Sequence, residues 1–211
     1  MSDANLFETF SIAHSAESIG DDRVDTILLP QASILVVADG AGGSAGGSLA
    51  ADMVIGHVRA YCATENPDLS EDALTQLVLT IDNAVADDPL AGETTALLAV
   101  VTNESIVGIS VGDSDGYLVF GDRDYPLTPR HSKPYLGHRA AAPESFVAEI
   151  QNGILLLGSD GLWKYASTDR VLSTVRTRLP LYRMASALID LVRLRNGGLQ
   201  DDISIALCRR A

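Results

Sequence analysis

The sequence predicts an α+β fold built mostly from antiparallel sheet. Three observations predict it. Short apolar or alternating runs bounded by turn residues recur along the chain. Two stretches of helical periodicity lie between groups of such runs, and two more come near the end. No repeat, linker or low-complexity tract interrupts the 211 residues, 46% of them hydrophobic, so one domain over 1–211 with an ample core is expected.

The elements follow in order. Residues 6–13 and 24–29 read as strands, followed by a strand over 33–38. The glycine-rich run Gly42-Gly43-Ser44-Ala45-Gly46-Gly47 predicts a flexible loop. A helix is expected over about 48–63, with Leu49, Met53, Val54, His57 and Val58 on one face. Asn66-Pro67-Asp68 breaks it. Ser70 can cap a second helix, whose stripe is Leu74, Leu77, Val78, Ile81 and Val85, and Asp87-Asp88-Pro89 ends it. Strands over 94–101 and 105–111 flank a tight hairpin at Asn103-Glu104. A strand over 117–120 is followed by a turn at Gly121-Asp122, and 133–144 has no regular pattern. Residues 145–150 alternate, and Gln151-Asn152-Gly153 turns into a strand over 154–157. Helices are expected over 169–178 and 181–194, the second stopped by Asn196-Gly197-Gly198. A closing strand covers 203–207.

Charge and composition narrow the function. The net charge is 15 − 28 = −13, which argues against a nucleic-acid partner. The longest apolar stretch is far short of the ~20 residues a spanning helix needs, so no membrane partner is expected. The polar start, Met1-Ser2-Asp3-Ala4-Asn5, does not read as a signal peptide, and a cytoplasmic location is expected. Cys62 and Cys208 lie in no metal-ligand spacing. Cys62 is followed by no phosphate-cradling arginine, so both read as buried small hydrophobes rather than nucleophiles.

Three apolar runs each end in an aspartate and a turn. They close on Ala38-Asp39-Gly40, Gly112-Asp113-Ser114 and Ser159-Asp160-Gly161. Strand ends of this kind, if they converge, bring carboxylates together. Carboxylates that meet repel one another, and a hard divalent cation resolves the repulsion. Two further acidic corners, Asp21-Asp22 and Asp201-Asp202, precede strands. Taken alone, Asp39-Gly40 and Asp160-Gly161 could equally be simple turns.

In order, the chain reads Asp21-Asp22, Asp39-Gly40 with Gly42-Gly43, Thr94-Thr95-Ala96, Gly112-Asp113-Ser114, Ser159-Asp160-Gly161-Leu162-Trp163 and Asp201-Asp202 with Ser204. This ordered set, spanning about residues 11–207, resembles the metal-dependent protein phosphatases, the type 2C or PPM family. The resemblance implies a four-layer α-β-β-α sandwich of two antiparallel sheets flanked by helices. It implies two Mn2+ or Mg2+ ions, with a third, weaker site. Asp39 would bridge the two ions and Gly40 would offer its carbonyl. Asp160 and Asp201 would hold one ion, and Asp22, or its neighbour Asp21, would orient bound water. Asp113 with Asp160 would form the third site. The implied activity is hydrolysis of phosphoserine and phosphothreonine esters by a hydroxide that bridges the ions. Asp22 and Asp39 would then be the catalytic pair. Asp202, Thr94, Thr95 and Trp163 read as structural.

The chain also departs from the family. Glu17 stands where many relatives have a phosphate-binding arginine, and Ala41 where some have a histidine. Asp115 replaces an arginine after Gly112-Asp113-Ser114, and Thr128-Pro129-Arg130-His131-Ser132 replaces a more acidic pattern. The flap bordering the site is shortened to about 133–144. Arg23, Arg130, His131 and Arg139 are the candidates for the missing clamp. The resemblance implies phosphorylated protein substrates, opposition to a Ser/Thr kinase and a monomer. The alternative is a catalytically weak module that binds phosphoproteins or regulates a partner. A phosphatase of a sigma-factor regulator fits less well, because such relatives typically lack the Ser-Asp-Gly-Leu-Trp form.

Overall fold

The longest apolar runs belong to strands buried on both faces. A computed structural model of the chain describes residues 6–17, 19–41, 46–129 and 134–211. Every residue is buried in β3 (Ala32–Ala38), β4 (Ala96–Val101) and β9 (Ile154–Gly158), which is why these runs do not alternate in polarity. The alternation survives in which core each residue enters. Leu35, Val37, Leu97, Leu155 and Leu157 share one core, whereas Ile34 and Val36 enter a second and Ile154 and Leu156 a third.

The shared core lies between two antiparallel sheets. The first sheet has the order β1 (Phe7–His14), β10 (Ile203–Arg210), β9, β6 (Asp115–Val119), β7 (Asp124–Pro126). The second has the order β2 (Arg23–Leu29), β3, β4, β5 (Ile106–Val111), β8 (Glu144–Ala148). Helices α1 (Gly47–Cys62) and α2 (Glu71–Asp87) cover the second sheet. Helices α3 (Asp160–Trp163), α4 (Thr168–Arg176) and α5 (Leu181–Val192) cover the first. These are the four layers that the resemblance implied.

Several local expectations need correction. The buried face of α1 is Gly47, Ala50, Ala51, Val54, Val58 and Cys62, so Val54 and Val58 face inward as expected, while Leu49, Met53 and His57 lie at the flank. Small alanines let α1 sit close to the sheet, and larger neighbours lie at the flank. The second helix has its expected stripe and its Ser70 cap, which accepts from the Ala73 N–H at 3.4 Å. Gln151-Asn152-Gly153 carries the chain from one sheet to the other, since β8 and β9 belong to different sheets. Strand β7 and the short α3 had no periodic signal. Both cysteines are buried and free. Most of the loop 42–47 lies outside the described residues.

The segment 134–141, part of the region expected to be irregular, is tied down by one buried side chain. Asp82 on α2 is 2% exposed. Its Oδ1 accepts from the N–H groups of Gly137, His138 and Arg139 at 2.7, 3.1 and 3.2 Å, and its Oδ2 from Ala141 at 3.0 Å. Leu136 completes the attachment through a bridge to Thr94, which bridges in turn to Gly40.

Candidate metal centre

Register brings the first two carboxylates together. Strands β2 and β3 pair with Arg23 opposite Ala38, so Asp22 and Asp39 meet at one end of the sandwich. Asp22 is 6% exposed and is the inward member of the Asp21-Asp22 corner. Its Oδ2 is buried without a hydrogen-bond partner. Burial pushes the Asp22 carboxyl up to about 7, against the hydroxyls of Ser159 and Ser204, which favour the anion. Burial, then the charges of Asp22 and Asp160, push Asp39 further still, to about 10. A pair with this much unrelieved repulsion, Asp22 buried and Asp39 half-buried, holds a proton where a cation would serve better.

The backbone around Asp39 is fixed on both sides. The Thr94 hydroxyl donates to the Asp39 carbonyl at 3.0 Å, and the Asp39 N–H donates to Thr95 Oγ1 at 3.0 Å. Thr95 Oγ1 is also bonded to Ser114 Oγ at 2.9 Å, which joins the Asp39 corner to the Asp113 corner. Gly40 has no room for a side chain, because an added Cβ would lie 2.4 Å from the Gly47 carbonyl oxygen. Its bridge to Thr94 is of the non-hydrogen-bonded kind, so its own carbonyl points outside that ladder.

The first sheet supplies the remaining carboxylates. Asp160 opens α3 directly after β9, and Asp201 precedes β10. Gly161 must be glycine here, since a Cβ would lie 1.8 Å from the Asp202 carbonyl oxygen. Burial and the charge of Asp160 raise the Asp201 carboxyl. Burial also raises Asp113, whose Oδ2 accepts a hydrogen bond from the Tyr135 hydroxyl at 2.9 Å. Asp202 is structural, as expected. It accepts from the N–H groups of Ala16, Asp21 and Asp22 at 2.8, 2.6 and 3.4 Å, and so fixes the corner that carries Asp22.

The carboxylates are neighbours but are not drawn up as a closed ligand set. Among the described residues, no three His, Cys, Asp or Glu side chains are grouped closely enough to hold an ion as they stand. Asp160 Oδ2 is itself ion-paired with Lys164 one helical turn later. The donor set otherwise suits a hard divalent cation: it is all oxygen, and it contains one buried oxygen with no partner.

Of the four clamp candidates, two are described and both are held by carboxylates. Arg23 donates to Asp52 at 2.6 and 3.1 Å and to the carbonyls of Gly20 and Asp22 at 2.8 and 2.9 Å. It thus brackets the Asp22 corner to α1. Arg139 pairs with Asp87 at the end of α2. Arg130 and His131 lie outside the described residues. Asp115 is buried and accepts from Thr128 Oγ1 at 2.9 Å, and Glu17 is exposed. Sequence reasoning missed the backbone clamp of Thr94 and Thr95, the anchor at Asp82, and Lys164. Only Lys164 had a readable signal, its spacing of four from Asp160 on a helical turn.

The sequence model of the family described as Protein phosphatase 2C matches residues 13–178. No curated protein matches the chain. Among solved structures, the fold is similar to serine/threonine phosphatase Stp1 from Staphylococcus aureus, with TM-score 0.85, 18% identity, and 99% and 96% of the two chains covered. It is similar to the S. agalactiae serine/threonine phosphatase, with TM-score 0.85, 20% identity, and 97% and 100% covered. It is also similar to the catalytic domain of the phosphatase PstP, solved with two manganese ions, with TM-score 0.81, 21% identity, and 96% and 97% covered. At these identities the likeness is one of fold.

Proposed function

The chain belongs to the protein phosphatase 2C family, metal-dependent Ser/Thr phosphatases, and from that premise we propose the residues that carry the activity. Asp22, Asp39, Asp160 and Asp201, with the Gly40 carbonyl, hold two ions, Mn2+ or Mg2+. Asp113 with Asp160 forms a third, weaker site. The observation that carries this reading is the Asp22–Asp39 pair, with Asp22 buried, its Oδ2 without a hydrogen-bond partner, and Asp39 half-buried beside it.

Divalent ions bound there lower the pKa of water and screen the charge of a phosphomonoester dianion. The chain supplies position. Thr94 and Thr95 fix the Asp39 backbone at its carbonyl and its amide, so its carboxylate presents one geometry. Ser159 and Ser204 face Asp22, and Asp202 and Arg23 hold its backbone. Neither cysteine can act as a nucleophile, since both are buried in the cores. In keeping with the family, the phosphoryl group would pass to water with no side chain phosphorylated, and the departing alkoxide would take its proton from solvent. To act as the phosphate clamp, Arg23 and Arg139 would first have to leave their carboxylates; Arg130 and His131 are the other two candidates.

The substrates are phosphoproteins, and we place the chain opposite a Ser/Thr kinase, as a cytoplasmic monomer. Residues 1–211 act as one phosphatase domain with a shortened flap at about 133–144. No helix among the described residues is long and apolar enough to cross a membrane. Glu17, exposed where relatives carry arginine, favours a second reading as a catalytically weak phosphoprotein-binding module. Hydrolysis of p-nitrophenyl phosphate and of Ser/Thr phosphopeptides, with Mn2+, Mg2+ or EDTA, separates the two. We expect turnover with either ion and none with EDTA or in Asp39→Asn. Phosphopeptide binding without metal-dependent turnover would favour the second reading.

A further inference from the structure

Lys164 is one of only two lysines in the chain, and it stands at the acidic cluster. Its ammonium is ion-paired with Asp160 Oδ2, and its charge also acts on Asp113 and Asp201. Its backbone position is fixed. The Lys164 N–H donates to the Asp160 carbonyl at 2.8 Å, and Trp163 Nε1 donates to the Gly158 carbonyl at 3.0 Å. The Trp163 ring lies against Tyr117 with centroids 5.0 Å apart. The α3 turn therefore holds the lysine stem over the cluster, while the side chain remains 53% exposed and free to swing outward.

An ammonium ion in that place does part of what a metal ion would do. It relieves the repulsion among Asp160, Asp113 and Asp201, and it occupies an oxygen that an ion would need. We propose that Lys164 is a built-in competitor for the metal centre, an affinity-determining residue whose ammonium must leave Asp160 before an ion can bind there. The proposal rests on the metal-centre reading given above. It separates the two sides of the centre. Asp22, buried, and Asp39, half-buried, have no side-chain ion pair among the described residues, since the nearby Arg23 is paired with Asp52, and they lie on the side that an ion enters without a rival on its carboxylates. The Asp160 side carries a tethered rival whose effective concentration does not fall on dilution.

The test is Mn2+ titration by calorimetry, with free Mn2+ followed by its paramagnetic resonance signal, on wild type, Lys164→Met, Lys164→Arg and Arg59→Met. Methionine keeps the length of the stem and removes the charge. Arg59, paired with Asp25 outside the cluster, controls for the change in net charge. We expect Lys164→Met to bind its weakest Mn2+ about tenfold more tightly, the size of one unit charge removed a few ångströms from a dication in a partly solvated site. Lys164→Arg and Arg59→Met should stay within about twofold of wild type by the same estimate. Melting in EDTA and in Mn2+ gives a second readout. Lys164→Met should melt below wild type in EDTA, where its repulsion is unrelieved, and gain more from Mn2+. Equal or weaker Mn2+ affinity in Lys164→Met, or equal tightening in Arg59→Met, would overturn the role of Lys164 alone. Absence of Mn2+ binding in every variant would overturn the metal centre, and this inference with it.

Discussion

Asp39 occupies a position in which a carboxylate is costly unless a cation is present. Its carboxyl is raised by burial and by Asp22, Asp160 and Asp113, and that of Asp22 by burial first. Both folded values lie above the ordinary carboxylate value of 3.8. Without metal, the folded chain then binds more protons than the unfolded chain above about pH 4, so stability falls as pH rises. In EDTA the melting midpoint should decline from about pH 4 upward, where the unfolded chain has lost carboxyl protons that the folded pair still holds; the part due to Asp22 ends near about 7 and the part due to Asp39 near about 10. Asp39→Asn should flatten that slope and melt above wild type in EDTA near pH 8, while abolishing nearly all turnover. A slope unchanged by the substitution would show that the pair is not the source. Saturating Mn2+ should reverse the trend, since the ligands bind metal only when deprotonated. These aspartates stood out in the sequence because each ends or precedes an apolar strand, although which of Asp21 and Asp22 turns inward did not. The hydroxyls that position them were not legible. Thr95 and Ser114 meet Asp39 only through sheet register, and threonine in a strand needs no function to be there.

At the scale of an element, the segment 134–141 hangs on a single carboxylate. Asp82 satisfies four backbone N–H groups from inside α2. Asp82→Ala would leave those donors without their buried anion, at a cost of about 3 kcal/mol. Asp82→Asn, which keeps one acceptor oxygen for the three donors on Oδ1, should cost less. Amide exchange in 137–141 should quicken in both variants, more in alanine. Mn2+ affinity should change little, since Asp22 and Asp39 are held by other groups. Uniformly accelerated exchange across the chain would instead mean global destabilisation. The stripe of α2 reads correctly from the sequence, yet its period gives no reason to expect a buried aspartate beside Ile81. The alanine part of the α1 face was lost for the opposite reason. Alanine and glycine carry little hydrophobic weight, so Ala50 and Ala51, beside the expected Val54 and Val58, are quieter in sequence than the flank bearing Leu49 and Met53. Strand β7 has three residues and α3 has four, too few for any period to register.

In the whole molecule, the centre joins the two sheets. Asp22 and Asp39 come from the second sheet, Asp160 and Asp201 from the first, and Asp113 from the link between β5 and β6. The hydrophobic core between the sheets presses these strand ends together, and the carboxylates, in a chain of net charge −13, push them apart. The repeated pattern of apolar run, aspartate and turn marked the ends that could converge, and the family resemblance implied that they do. Which corners touch was not, because the deciding contacts, such as Asp202 to Asp21, span 181 residues. Ions bound across this junction should act as a staple rather than as a local ligand. At 100 times its dissociation constant, Mn2+ bound at one site of the folded chain should add about 2.7 kcal/mol. In a chain of this size that corresponds to a rise of about 5–10 °C in the melting midpoint over EDTA. Because the staple crosses from sheet to sheet, exchange of the buried amides of β3 and β9 should slow together, by about a hundredfold, if their exchange requires global opening. Protection confined to β2 and β3 would place the ion on the Asp22–Asp39 side alone. Equal midpoints in EDTA and Mn2+ would mean that the acidic junction binds no ion.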